Sequence, residues 1–242
     1  MAVFTIEKLR RTLSLMRIWL VIFLFFLCSS NNFGQIHAEE DWKDDEASQL
    51  QLEFGKNLRS ISKDLAANYS EYIANPKAFD TFINIHIAKL WDVQSTTRAL
   101  LGKSFFKKLS KYEKDGLVSE VEKTWRRYAH EALKYYDGQS FAVSDVVINK
   151  TGTRAWVKIV MEAKFLPDIY FDILIKRDED EPWRAVDARF RGITYVSIKK
   201  HQFREIVETE SILALENHLS KNNEDYFSEM CKPINLKGTP LC

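Results

Sequence analysis

Between Phe141 and Phe190 the chain adopts a two-residue repeat, and this segment constrains the fold more than any other. Phe141 and Val143 begin an alternation that breaks phase before Val146. In residues 155–163, Val157, Ile159 and Met161 alternate with their neighbours, and Phe171, Ile173 and Ile175 do the same further on. Residues 183–190 repeat the pattern with Val186, Ala188 and Phe190. A two-residue period sends successive side chains to opposite faces, so each run predicts a strand with one apolar face. Lys150-Thr151-Gly152, Pro167-Asp168 and the charged run from Arg177 to Pro182 supply the turns. Four strands with links this short predict an antiparallel meander buried on one side.

On both sides of the meander the apolar residues return to helical spacing. Leu50, Leu52, Phe54, Leu58, Ile61 and Leu65 predict a helix over 47–67, preceded by a ragged acidic stretch at 39–46. Asn75-Pro76 reads as a cap followed by proline at the first helical position, opening a helix over 77–90. A short helix over 93–101 stops at Gly102, and Ser110 with Glu113 fits a capping box that opens a long helix to about Tyr136. After Gly192 helical spacing resumes through Ile193, Val196, Phe203 and Ile206, then from Ile212 to Leu219. The economical arrangement is an α+β domain, in which several helices wrap the apolar face of a twisted four-stranded antiparallel sheet.

The first 38 residues stand outside this scheme. Lys8, Arg10, Arg11 and Arg17 precede the unbroken apolar run Ile18 to Cys28, and Ile36-His37-Ala38 follows. That order reads as a secretory signal cut near Ala38, and the run is short of the roughly 20 residues that span a bilayer. The competing reading is an uncleaved anchor. The expected division is a signal peptide at 1–38, one domain at 39–220 and a polar C-terminal tail at 221–242, with the mature protein in an oxidising, extracytoplasmic space. Removing the signal takes away four of the 35 basic residues and one of the 34 acidic ones, leaving a charge of about −2. A near-neutral chain has no sequence-wide field with which to hold nucleic acid. Of three cysteines, Cys28 leaves with the signal, and Cys231 and Cys242 read as a disulfide closing a C-terminal loop. Two free thiols on a loose tail are the alternative.

Catalytic constellations are not evident. His86, His130, His201 and His218 are scattered, without metal-binding spacing, and no nucleophile elbow or phosphate-cradling glycine loop occurs. The strand carboxylates Glu162, Asp172 and Asp187 alternate against the apolar residues and are expected to point to solvent or to neighbouring Lys and Arg. No enzyme, metal or cofactor is expected. Lys103, Lys107, Lys108, Lys111 and Lys114 form the densest basic cluster, either a solvated helical face or a rim that meets phosphate groups.

The segment Trp183 to Phe203, with Val186, Asp187, Gly192 and Thr194, resembles the MlaC or toluene-tolerance family of periplasmic phospholipid-binding proteins. Leu100-Leu101-Gly102 followed by Phe105 resembles an upstream step of that family. Tyr128-Ala129, Leu133 and Tyr136-Asp137-Gly138-Gln139 resemble the end of its long helix. The similarity is collinear from about Asn75 to Leu219. Arg191 departs from it, standing where the family has an acidic residue, and the C-terminal cysteine pair lies outside the pattern. The resemblance implies a non-enzymatic carrier that shuttles phospholipid between inner and outer membranes as the soluble component of an ABC-type system. Its implied partners are an inner-membrane ABC transporter with an MCE-type ring and an outer-membrane lipoprotein–porin complex. A carrier needs an apolar lipid cavity. The candidate lining is Val157, Ile159, Met161, Phe171, Ile173, Ile175, Val186 and Phe190 from the strands. Facing them are expected Trp91, Leu100, Phe105, Trp125, Tyr128, Tyr195 and Phe203. Plain core packing is the competing reading for each. An envelope adaptor with a solid core, or a small-molecule isomerase or hydrolase on a similar fold, are the alternative functions.

Overall fold

A computed structural model describes residues 41–163, 166–178 and 181–231. The expected signal peptide and Cys242 lie outside the described residues. Cys231 is disulfide-bonded.

The meander pairs in chain order. Strands β1 (Ser140–Ile148), β2 (Arg154–Ala163), β3 (Leu166–Lys176) and β4 (Arg184–Phe190) are antiparallel neighbours. The sheet has a fifth strand, β5 (Ile193–Thr194), where four were expected. Arg191 and Gly192 carry positive φ of 51° and 82°, the conformation of a two-residue hairpin turn. The chain therefore folds back, pairing Phe190 with Ile193 before the helix begins. The break of phase before Val146 is a bulge: the register shifts between Val143 and Asp145, which returns Val146 to the apolar face.

The register assembles that face in rungs. Ile148, Ala155, Ile175 and Ala185 form one, and Val146, Val157, Ile173 and Ala188 the next. Val143, Ile159 and Phe171 follow, then Phe141, Met161 and Ile169. A further register shift, between β3 and β4, sets Ala185 opposite Ile175 and Asp187 opposite Leu174, so Val186 falls between paired positions.

Helix α1 (Asp41–Ala74) runs along β1 and brings Leu50, Phe54 and Leu58 to the apolar face. It starts earlier than the ragged acidic stretch suggests. Glu46 forms an ion pair with Arg177 and accepts a hydrogen bond from Trp183 Nε1 at 3.3 Å, so the end of the β3–β4 hairpin holds its first turns. Helix α2 (Pro76–His86) opens as expected, with Asn75 Oδ1 accepting the Ala78 N–H at 3.3 Å. A 3-10 turn at Ala88–Leu90 leads to α3 (Val93–Leu101), which stops at Gly102 with φ 88°. The short α4 (Lys103–Lys108) precedes α5 (Lys111–Leu133), whose Ser110–Glu113 capping box is complete. Thr194 caps α6 (Tyr195–Thr209) through the Ser197 N–H at 3.0 Å.

The last helix, α7 (Ile212–Cys231), continues well past residue 220, where a polar tail was expected. Its later turns are packed. Asn223, 1 % exposed, donates to the Glu120 carbonyl and carboxylate on α5 at 3.1 and 3.0 Å, and Phe227 is buried beside His130. A polar residue that finds its partner on another helix is indistinguishable in sequence from one that faces water.

The helices carry cores of their own. Tyr72, Phe79, Phe82, Ile83 and Leu133 join α1, α2 and α5, while Leu100, Leu117, Phe203 and Leu215 join α3 and α5 to α6 and α7. His130 lies against the first of these, edge-on to Phe79 at 4.9 Å, with its Nε2 buried and unbonded. Burial, reinforced by the Arg126 and Lys134 charges, lowers its pKa to about 4. An unfolded histidine titrates near 6.5, so as the pH falls the unfolded chain takes up the proton first. Stability present above about pH 6.5 should drain away toward pH 4. Denaturant titrations should find the fold weaker at pH 5 than at pH 7 by roughly 2 kcal/mol, and His130→Phe should remove most of that difference.

Candidate functional site

In a sheet ordered β1 to β5, β3 is central, and its apolar face would ordinarily be the best covered. The opposite holds here. Val157 and Ile159 on β2 are 0 % and 4 % exposed, yet their cross-strand partners Ile173 and Phe171 are only half-buried. The reason lies in the helical layer. Helix α1 lies against β1, and α3 and α6 lie against β4, the outer two of the four long strands. Between the two walls Phe171 and Ile173 form a partly exposed apolar strip of β3, the trough, bounded by Ile175 at 0 % exposed and Ile169 at 7 %.

The wall on the β4 side is aromatic. Trp91 forms a bridge with Ala185 and stacks on Trp125 of α5, with ring centroids 6.5 Å apart. Its Nε1 donates to Thr96 Oγ1 at 3.0 Å, and that hydroxyl donates to the Val186 carbonyl at 2.7 Å, pinning α3 to the sheet edge. One turn beyond Trp125, Tyr128 meets Tyr195 of α6 edge to face at 6.3 Å. Burial raises the pKa of both phenols, so both keep their protons across neutral pH and can donate. Arg127 lies over the Tyr128 ring at 5.2 Å. Lys199 is near enough that the Arg127 charge adds to burial in lowering its pKa. An apolar trough beside hydroxyls and two cations suits a ligand with a long apolar body and an anionic end.

The expected lining residues therefore separate. Val157, Ile159, Met161, Phe171, Ile173 and Ile175 share the inner face of the sheet with Trp91 beside them, Trp125 stacks on Trp91, and Tyr128 and Tyr195 pair with each other, Tyr195 packing against the helical core. Leu100 and Phe203 do not face the sheet; they are buried within the helical core. Phe105 is 38 % exposed and lines a different cleft at the surface. Val186 lies at the β4 register shift, with Ala185 opposite Ile175 in its stead, and Phe190 pairs beside the hairpin turn. The sequence reading overlooked Phe54 and Leu58, which α1 brings to the apolar face, and the cations Arg127 and Lys199.

Of the strand carboxylates, Glu162 is exposed, bonded by Ser140, and Asp172 pairs with Arg189 at 2.7 Å, as the alternation suggests. Asp187 is a correction. It is on the outward face but only 7 % exposed, because α6 turns back over β4 directly after the hairpin. Its carboxylate accepts the N–H groups of Ala188 and Val196 at 2.9 and 3.2 Å, and burial raises its pKa despite them. It fastens the start of α6 and does not face the trough. Among the described residues no group of three or more metal-ligand side chains occurs.

The sequence profile of the MlaC family matches residues 56–221. The chain belongs to the MlaC family. Among solved structures, a phospholipid-binding protein from Ralstonia solanacearum, in complex with a phospholipid, has the same fold at a TM-score of 0.61 and 15 % identity. The match covers 71 % of this chain and 97 % of that one. Comparison with curated protein sequences finds no match.

Ile173 is partly exposed and Ile175 fully buried, which gives the two positions opposite tolerances. Ile175→Trp should cost about 1–3 kcal/mol or more through overpacking, whereas Ile173→Trp should fold with near-native stability. Thermal unfolding of the two variants checks this.

Proposed function

We propose that this protein is a phospholipid carrier of the periplasm, exported by its N-terminal signal and holding acyl chains in the trough over β3. The observation that carries the reading is the pair Phe171 and Ile173, left partly exposed at the centre of an otherwise covered apolar face. Membership of the MlaC family and the phospholipid bound by the Ralstonia solanacearum protein support it.

The energetics explain why such a protein would be needed. Each methylene withdrawn from water is worth about 0.8 kcal/mol, so two ordinary acyl chains set on the order of 20 kcal/mol against crossing an aqueous space unaided. The trough would take the chains, with the Tyr128 and Tyr195 hydroxyls, Arg127 and Lys199 toward the phosphate end. Release into water would be correspondingly slow, so donor and acceptor must receive the lipid by contact. A membrane-bound ABC transporter with an MCE-type ring on one side and an outer-membrane lipoprotein–porin complex on the other would fill those roles, with ATP spent by the transporter. In this reading the chain's own residues bind and shield lipid and change no covalent bond.

The test is extraction and mass spectrometry of protein recovered after export and purified without detergent. The expected result is near-stoichiometric diacyl phospholipid, with occupancy lowered several-fold in Ile173→Trp. A different lipid, such as a hopanoid, would keep the trough and change the cargo; protein that is stable and empty would overturn the carrier reading.

A further inference from the structure

A second feature lies on another face of the molecule, where α4 and α6 border a surface cleft of about 360 Å³. Lys103 and Lys108 line it from α4, Lys200 and Arg204 from α6. The one carboxylate in the lining, Glu208, is held by Arg204 at 3.1 Å. Lys103, Lys108 and Lys200 have no carboxylate partner among the described residues, nor do Lys107 and Lys111 beside them. Cations gathered without counter-charges repel one another, and an anion seated among them relieves that repulsion. The apolar part of the cleft is Leu101, Val207 and Phe105, and the Phe105 ring is 38 % exposed.

We propose that this cleft docks the protein on an anionic membrane surface, with the lysines against lipid phosphates and the Phe105 ring at the headgroup–acyl boundary. Unpaired cations next to exposed aromatic rings are the combination that binds such a surface, the charge supplying attraction and the rings burying apolar area. A site for a free phosphate would need the cations but not the ring. The consequence is geometric. Helix α6 lines the cleft with Lys200 and Arg204 and is fastened at its start to Asp187 of β4 through the Val196 N–H, so docking through α4 and α6 would hold the β4 side of the sheet near the bilayer. The cleft shares no residue with the trough floor, and the inference stands or falls apart from the identity of the cargo.

The experiment is flotation of the protein with vesicles of phosphatidylcholine alone and with phosphatidylglycerol added. Binding is expected only to the anionic vesicles and should weaken as salt is raised. At roughly fivefold per cation removed, the triple variant Lys103→Gln/Lys108→Gln/Lys200→Gln should bind at least tenfold more weakly. Its unfolding temperature and bound-lipid content should match the unaltered protein, since all three side chains are at the surface. Lys56→Gln/Lys63→Gln on the exposed side of α1 should leave vesicle binding unchanged. Absence of binding, binding undiminished in the triple variant, or an equal loss in the α1 control would overturn the proposal. So would saturable binding of inorganic phosphate at the cleft without attachment to vesicles.

Discussion

The apolar face of the meander must be withdrawn from water, and the helices that do this cover it unevenly. Val157 and Ile173 are partners on one rung, yet only the first is fully buried. A solid domain would place a helix over the central strand, because buried apolar area is the main source of stability. Here α1 follows β1, and α3 and α6 hold to β4, and Phe171 and Ile173 on the central strand stay partly exposed.

Leaving that strip open requires the helical layer to be stable without it. Two clusters meet the need, one joining α1, α2 and α5, the other joining α3 and α5 to α6 and α7. Hydrogen bonds then set the layer's position against the sheet. Glu46 ties α1 to the end of the β3–β4 hairpin, Thr96 ties α3 to the Val186 carbonyl, and Asp187 holds the Val196 N–H at the start of α6. Each lies near an edge or a turn and none crosses the face of β3. The helices are thus fixed to the sheet at its margins, the preorganisation that a binding site gains from if binding is not to be spent on ordering the protein.

Much of the fold was legible because it rests on local rules. The strand period, the phase break that became the Val143–Asp145 bulge, the Asn75 cap and the Ser110–Glu113 capping box all depend on residues a few positions apart. Misreadings arose where a distant partner decides. The first turns of α1 look ragged until Arg177 and Trp183 meet Glu46, and the end of α7 looks like a polar tail until Asn223 finds Glu120. Asp187 alternates like a surface residue and is buried because α6 turns back over it.

The sequence by itself determined an apolar sheet face wrapped by helices and, through collinear motifs, the MlaC family, since period and motif order are properties of neighbouring residues. Only the tertiary structure decided which apolar residues fill a core and which border a trough. Leu100 and Phe203 went to the helical core and Phe105 to the surface, while Ile173 and Ile175, two positions apart on one strand face, became trough floor and solid packing. Hydrophobicity says that a side chain must leave water; it does not say what covers it, and that depends on where helices distant in sequence come to rest.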